Sequence, residues 1–166
     1  MITFKLFIAL LCAAVIAQPA WAVEKIEKEA IVIGKSLKVG MPLEKAIALL
    51  GIPKLITVKR GTEPEMDSIS IEYLNHGVRI HALAKNPKVE ELEVLPTFKG
   101  KFAAGVKIGA KFQNRMKNYG IPDSVNAHIA EYPESEMHFF LKNDTLVSAK
   151  LFAKNSKLLE YKLLKQ

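Results

Sequence analysis

Leu37-Lys-Val-Gly40-Met-Pro-Leu43-Glu-Lys-Ala-Ile47-Ala-Leu-Leu50-Gly51-Ile-Pro53 is matched 69 residues later by Val106-Lys-Ile-Gly109-Ala-Lys-Phe112-Gln-Asn-Arg-Met116-Lys-Asn-Tyr119-Gly120-Ile-Pro122. The lysine, both glycines and the Gly-Ile-Pro ending are identical, and apolar positions stay apolar. At the same spacing Ala84-Lys-Asn-Pro-Lys88-Val-Glu-Glu91-Leu-Glu-Val-Leu95 aligns with Ala153-Lys-Asn-Ser-Lys157-Leu-Leu-Glu160-Tyr-Lys-Leu-Leu164, six of twelve positions being identical. Self-similarity at a fixed spacing marks a duplicated supersecondary unit. Each copy opens on a helix. Leu43, Ala46, Ile47 and Leu50 recur at helical spacing, as do Phe112, Met116 and Tyr119. Pro42 suits a first helical turn, where its missing N–H costs nothing. Gly51 and Gly120 stand where a left-handed cap is needed, and Pro53 and Pro122 stop the helix.

Alternation follows each helix. Ile69, Ile71 and Tyr73 alternate with polar residues, Asn75-His76-Gly77 reads as a hairpin turn, and Val78, Ile80 and Ala82 alternate again. Asn86-Pro87 reads as the next turn, before Leu92 and Val94. In the second copy the strand signals are Phe139 and Leu141, then Val147, Ala149 and Leu151, then Leu159, Tyr161 and Leu163. Weaker strands are expected at 55–59 and 125–129. The expected fold class is α+β: a tandem repeat of two units, each a short helix packed on an antiparallel β-meander. The expected organisation is a signal peptide at 1–22, a lead-in at 23–36, unit one at 37–95, a Gly-rich linker at 96–105 and unit two at 106–166. Within the lead-in, Ile26, Ala30, Ile33 and Leu37 allow a helix, and Ala30 to Gly34 equally reads as a strand.

The pattern of Val39, Gly40, Leu43, Ile47, Leu50, Gly51 and Pro53, repeated as Ile108, Gly109, Phe112, Met116, Tyr119, Gly120 and Pro122, resembles two related groups. One is the helix–sheet domains of the BamE (SmpA/OmlA) outer-membrane assembly lipoproteins. The other is the tandem-repeat β-lactamase-inhibitory proteins. The resemblance covers residues 37–164 and implies action by binding proteins, without chemistry of its own, as an analogy at the level of fold.

The chain has 166 residues, 49% apolar and 25% charged, with 24 Lys plus Arg against 17 Asp plus Glu. Those values exclude wholesale disorder, and the net charge of +7 is basic without being extreme. Lys5, the apolar run Leu6 to Ile16 and Ala20-Trp21-Ala22 have the order of a secretory signal peptide. Eleven apolar residues are too few to cross a hydrocarbon core of about 30 Å. Cys12 follows Leu10-Leu11 mid-run, which argues against lipidation. Cleavage after Ala22 removes the only cysteine and the only tryptophan. The remaining 144 residues hold no disulfide, so their apolar core must suffice, and thiol catalysis is excluded. A periplasmic or secreted protein without a transmembrane segment is expected.

The residues recommend no catalytic site, metal site or cofactor. His76, His81, His128 and His138 show no ligand spacing, and no P-loop, G-x-G-x-x-G or G-x-S-x-G occurs. Two acidic groups, Glu63, Glu65, Asp67 and Glu131, Glu134, Glu136, read as solvated loops in equivalent places and lack a calcium-loop pattern. From Val94 to Pro122 there is no acidic residue, while Lys99, Lys101, Lys107, Lys111, Arg115 and Lys117 lie there. That is a surface for an anionic partner or a set of solvated cations. Phe98 and Phe102 lie in the same stretch, but the compartment speaks against nucleic acid.

Alternation supplies one more surface. If Phe139, Leu141, Val147, Ala149 and Leu151 face the helix, Phe140 and Phe152 face away, with Leu83, His81 and Lys150 beside them. Two aromatics amid charge on an open sheet face suit recognition; the alternative is burial between the units. The expected function is a soluble exported, non-catalytic binding module acting through protein–protein contacts, an inhibitor or an envelope accessory factor. The alternative is a periplasmic protein that binds anionic lipid or a small ligand.

Overall fold

The computed structural model describes residues 30–156, apart from the side chains of residues 114–116. The signal peptide, the first part of the lead-in and the strand expected around Leu159 to Leu163 lie outside the described residues. In chain order the elements are β1 (Val32–Ile33), α1 (Leu43–Leu50), β2 (Leu55–Lys59), β3 (Ser68–Tyr73), β4 (Val78–Leu83) and β5 (Asn86–Val94). Then come β6 (Lys101–Phe102), α2 (Phe112–Tyr119), β7 (Ser124–Val125), β8 (Ile129–Tyr132), β9 (Met137–Lys142) and β10 (Thr145–Phe152). Of the two readings of residues 30–34, the strand holds, as β1.

Both helices stand where helical spacing and Gly-x-Pro punctuation put them. Pro42 accepts from the N–H groups of Lys45 (3.1 Å) and Ala46 (3.3 Å). Gly51 closes α1 at φ 77°, donating to the Ile47 carbonyl at 2.8 Å; a β-carbon resists that backbone region. The buried stripe of α1 is Ala46 and Leu50, with Leu43 half-buried; Ile47, expected on that stripe, is exposed.

The tandem helix-on-meander architecture does not hold. The described residues are mostly β, with an antiparallel sheet of eight strands in the order β2-β3-β4-β5-β10-β9-β8-β7 and two short helices beside it. Two separate meanders would each end on the open edge of β5 or β10, with its peptide groups unpaired. Instead β5 and β10 pair with each other, from Ala149 opposite Val94 to Phe152 opposite Glu91. Local alternation reveals strands but carries no signal for which edges will join.

The sequence register between the halves also needs correction. The helices lie 69 residues apart, but the hairpins lie 59 apart. Tyr73 pairs with Val78 and Tyr132 with Met137; Leu83 pairs with Asn86 and Lys142 with Thr145. The ten-residue difference falls within the β2–β3 hairpin, whose two strands and connecting loop are all longer than those of the β7–β8 hairpin. The matched Ala-Lys-Asn triplets at 84–86 and 153–155 are therefore not structural counterparts, and the turn lies at 84–85, so that Asn86-Pro87 already belongs to β5. The two acidic groups are not equivalent either: Glu63 to Asp67 joins β2 to β3, whereas Glu134 to Glu136 joins β8 to β9.

One face of the sheet carries the core. Ile71, Ile80, Leu92, Leu151, Met137 and Tyr132 are successive cross-strand neighbours over six strands, and all are buried. Residues 96–105, the expected Gly-rich linker, contribute to the core. β6 pairs in parallel with β1, and Phe98, Phe102 and Val106 are buried. Phe102 sets its ring edge-on to Phe139, with centroids 5.4 Å apart, and Tyr119 of α2 does the same at 5.4 Å. Burial of these aromatic rings ties the segment to the sheet.

Candidate functional site

The face of the sheet opposite the core carries a row of side chains that is polar on every strand but β2. Leu55, Glu72, Arg79, Glu93, Lys150, His138, Glu131 and Ser124 are successive registered neighbours, one from each strand. Strands alternate their side chains between faces, so the same period that buries the core row forces these residues to the other side. The signs alternate along the centre, which is the favourable arrangement for cross-strand pairs.

The centre of the row is held by ion pairs. Arg79 donates from Nη1 to Glu93 Oε2 at 2.6 Å, and from Nη2 and Nε to Glu72 Oε2 at 3.0 and 3.3 Å. Burial pulls the Arg79 pKa down, but the hydrogen bonds and charges of Glu72 and Glu93 more than reverse this and leave it raised. Lys150 lies 3.4 Å from Glu91 Oε1 and 3.9 Å from Glu93 Oε1. The Glu91 side chain is only 1% exposed and that of Lys150 is 26% exposed, so this pair sits deep in the face. The five groups Glu72, Arg79, Glu93, Lys150 and Glu91 form one connected array with fixed charge positions.

The proposed contact residues fall around this array. His81 lies opposite Glu91, and Glu91 lies opposite Phe152 across the β5–β10 seam. Phe152 is buried and meets the His138 ring edge-on at 5.3 Å. Phe140 is half-buried between Ile129 and Ser148, its registered neighbours. Leu83 is buried at the far end of β4, opposite Ser68. The structure thus gathers His81, Phe152 and Lys150, sets Phe140 nearby on β9, and carries Leu83 two residues beyond His81, past a register shift between β4 and β5. Phe152 is buried on that face, and Phe140 is its more accessible aromatic.

Sequence reasoning missed Glu72, Arg79, Glu91 and Glu93. Their alternation with core residues was visible, but the register that brings opposite charges together was not.

The basic segment is a separate surface. Lys99, Lys101, Lys107, Lys111 and Lys117 are exposed, with Lys111 donating to Thr145 Oγ1 at 3.0 Å; the Arg115 side chain lies outside the description. Phe98 and Phe102 are buried, so they interleave nothing with those cations. A cleft of about 540 Å³ brings Lys85 and Asn86 together with Lys154 and Asn155, and Lys85 is already bound to Glu65. Of the other histidines, His76 Nε2 lies 3.1 Å from the Leu50 carbonyl, and His128 is exposed. Among the described residues no three His, Asp or Glu side chains gather as a metal site, and no helix is long and apolar enough to cross a membrane.

No family model, curated protein or solved structure matches the chain.

Proposed function

We propose that the chain is an exported, non-catalytic binding module whose polar sheet face, centred on Arg79, Glu93, Lys150 and Phe140, contacts a partner protein in the cell envelope. The alternating charge row supports this reading. Its charges are held in place by ion pairs on a rigid sheet, so a complementary partner meets them without the cost of ordering flexible side chains. Fixed charge patterns give selectivity and orientation, and the half-buried Phe140 adds an apolar anchor of the kind that concentrates binding energy. The resemblance to families that act by binding proteins points the same way, and the signal-peptide pattern supports a partner outside the cytoplasm.

A photocrosslinking residue at Phe140 in intact cells tests the proposal. The expected result is one discrete protein adduct, absent when the same residue replaces Asn118 on the back of α2. Equal adducts from both positions, or none from Phe140, would overturn it.

A second reading is favoured by the five exposed lysines of the acid-free stretch: a surface that attracts anionic lipid. Binding to anionic vesicles that collapses as salt is raised supports it; salt-insensitive or absent binding removes it.

A further inference from the structure

Strand β2 breaks the pattern of the sheet it belongs to. Leu55, Ile56 and Val58 are 55%, 57% and 62% exposed, and no residue of the strand is buried. Ile56 lies beside Ile71 in the core row, and Val58 lies beside Ile69. The core therefore ends at β3, and β2 extends beyond it with apolar side chains open on both faces. Among the described residues β2 pairs on one side only, with β3. Alternate N–H and C=O groups along its other side point outward and form a template for another strand. Ile52, just before it, is 95% exposed. An apolar edge of this kind invites self-association unless something prevents it.

The flanking charges disfavour self-pairing and favour an acidic segment. From Gly51 to Thr62 there is no acidic residue, while Lys54 precedes the strand and Lys59 and Arg60 close it. Two copies pairing antiparallel about Thr57 would set Arg60 of each, which is ion-paired with its own Asp67 at 3.1 Å, opposite the exposed Lys54 of the other. Like charges directly opposite are destabilising. An extended segment with acidic residues at both ends meets the same cations favourably.

We infer that the free edge of β2 is a strand-addition site for an extended, acid-flanked segment of a partner protein. Backbone hydrogen bonds to β2 would supply much of the affinity, and contacts with Leu55, Ile56 and Val58, together with the charge at Lys54 and Lys59, would supply selectivity. This goes beyond the polar-face contact, since it uses a different surface. A failed crosslink at Phe140 leaves it standing.

The test uses the full mature chain and a nonapeptide with a Val-Thr-Val-Thr-Val centre and two glutamates at each end. A counterpart carries lysines in place of the glutamates. Fluorescence anisotropy reads binding, and hydrogen exchange reads which amides are protected. The glutamate peptide is expected to bind and to slow exchange within 55–59. Lys54→Glu/Lys59→Glu, at two exposed positions, is expected to weaken that binding by about tenfold or more and to favour the lysine peptide instead. No binding, equal binding of both peptides, or protection elsewhere would overturn the inference. So would a concentration-dependent dimer that protects 55–59 without peptide, since that assigns the edge to a second copy.

Discussion

Lys150 stands opposite Glu93 where β5 meets β10, yet its ammonium lies nearer to Glu91, 3.4 Å from a carboxylate that is almost wholly enclosed. One cation thus ties together two carboxylates of β5 across the seam that joins the halves of the sheet. Half-buried charges in such an array are costly to strand, because the interior screens them poorly.

Lys150→Met is expected to lower unfolding stability by about 2–3 kcal/mol, somewhat below the cost of breaking a fully buried pair, because Lys150 retains some exposure. Adding Glu91→Gln should recover part of that loss. Urea unfolding of the two variants measures both. A loss within about 0.5 kcal/mol for Lys150→Met would show that the seam does not depend on this cation.

Gly77 holds a left-handed turn at φ 65° between β3 and β4, and a β-carbon there would meet the Phe98 backbone nitrogen at 2.4 Å. Its carbonyl also accepts from Leu95 at 2.8 Å, so the turn and the 95–98 backbone are locked together. Gly77→Ala combines an unfavourable φ with a backbone clash and is expected to cost about 2–3 kcal/mol. The thermal midpoint of the variant checks this, and an unchanged midpoint would mean that the two segments separate readily.

Phe102 is buried against Phe139, whereas the adjacent Lys101 is exposed. Phe102→Ala is expected to cost about 3–5 kcal/mol, and Lys101→Ala to stay within about 0.5 kcal/mol. Chemical denaturation of the pair separates a core segment from a solvated linker, for which both substitutions would be mild.

Tyr73 is buried and its hydroxyl makes no hydrogen bond among the described residues. Burial raises its pKa above the ordinary value of 10.0, and burial does the same for Tyr119, where a backbone hydrogen bond from Ala104 pulls the other way. A folded-state pKa raised above the unfolded one stabilises the fold below that ordinary value and loses the contribution as pH rises through the folded pKa. Tyr73→Phe is therefore expected to be more stable than the parent by about 1 kcal/mol near neutrality, because it removes an unsatisfied buried hydroxyl. Its advantage should widen above pH 10. Urea midpoints at neutral and alkaline pH measure the difference; an advantage that shrinks with rising pH would refute the assignment.

Which features were legible in the chain follows from the range of the forces involved. Helical spacing at Leu43 to Leu50, the Gly-Ile-Pro endings and the alternation of Ile69, Ile71 and Tyr73 are properties of a few neighbouring residues. Each was readable because dihedral preference and side-chain period act locally. Even there, the exposure of Ile47 escaped, because the angle at which α1 lies on the sheet is not encoded in its own period.

Sequence by itself determined the places of the two helices and of the strands β2, β3, β4, β9 and β10, and the alternation that separates an apolar face from a charged one. Tertiary structure alone decided that β5 joins β10, that Phe98 and Phe102 enter the core, and that Glu72, Arg79, Glu93 and Lys150 meet as an array. Those outcomes depend on contacts between residues distant along the chain, chosen by burial of edges and aromatic surface over the whole molecule. The 69-residue match illustrates the difference. It was clear in the letters and correct for the helices, but the longer β2–β3 hairpin absorbs ten residues and sets the later hairpins at a spacing of 59.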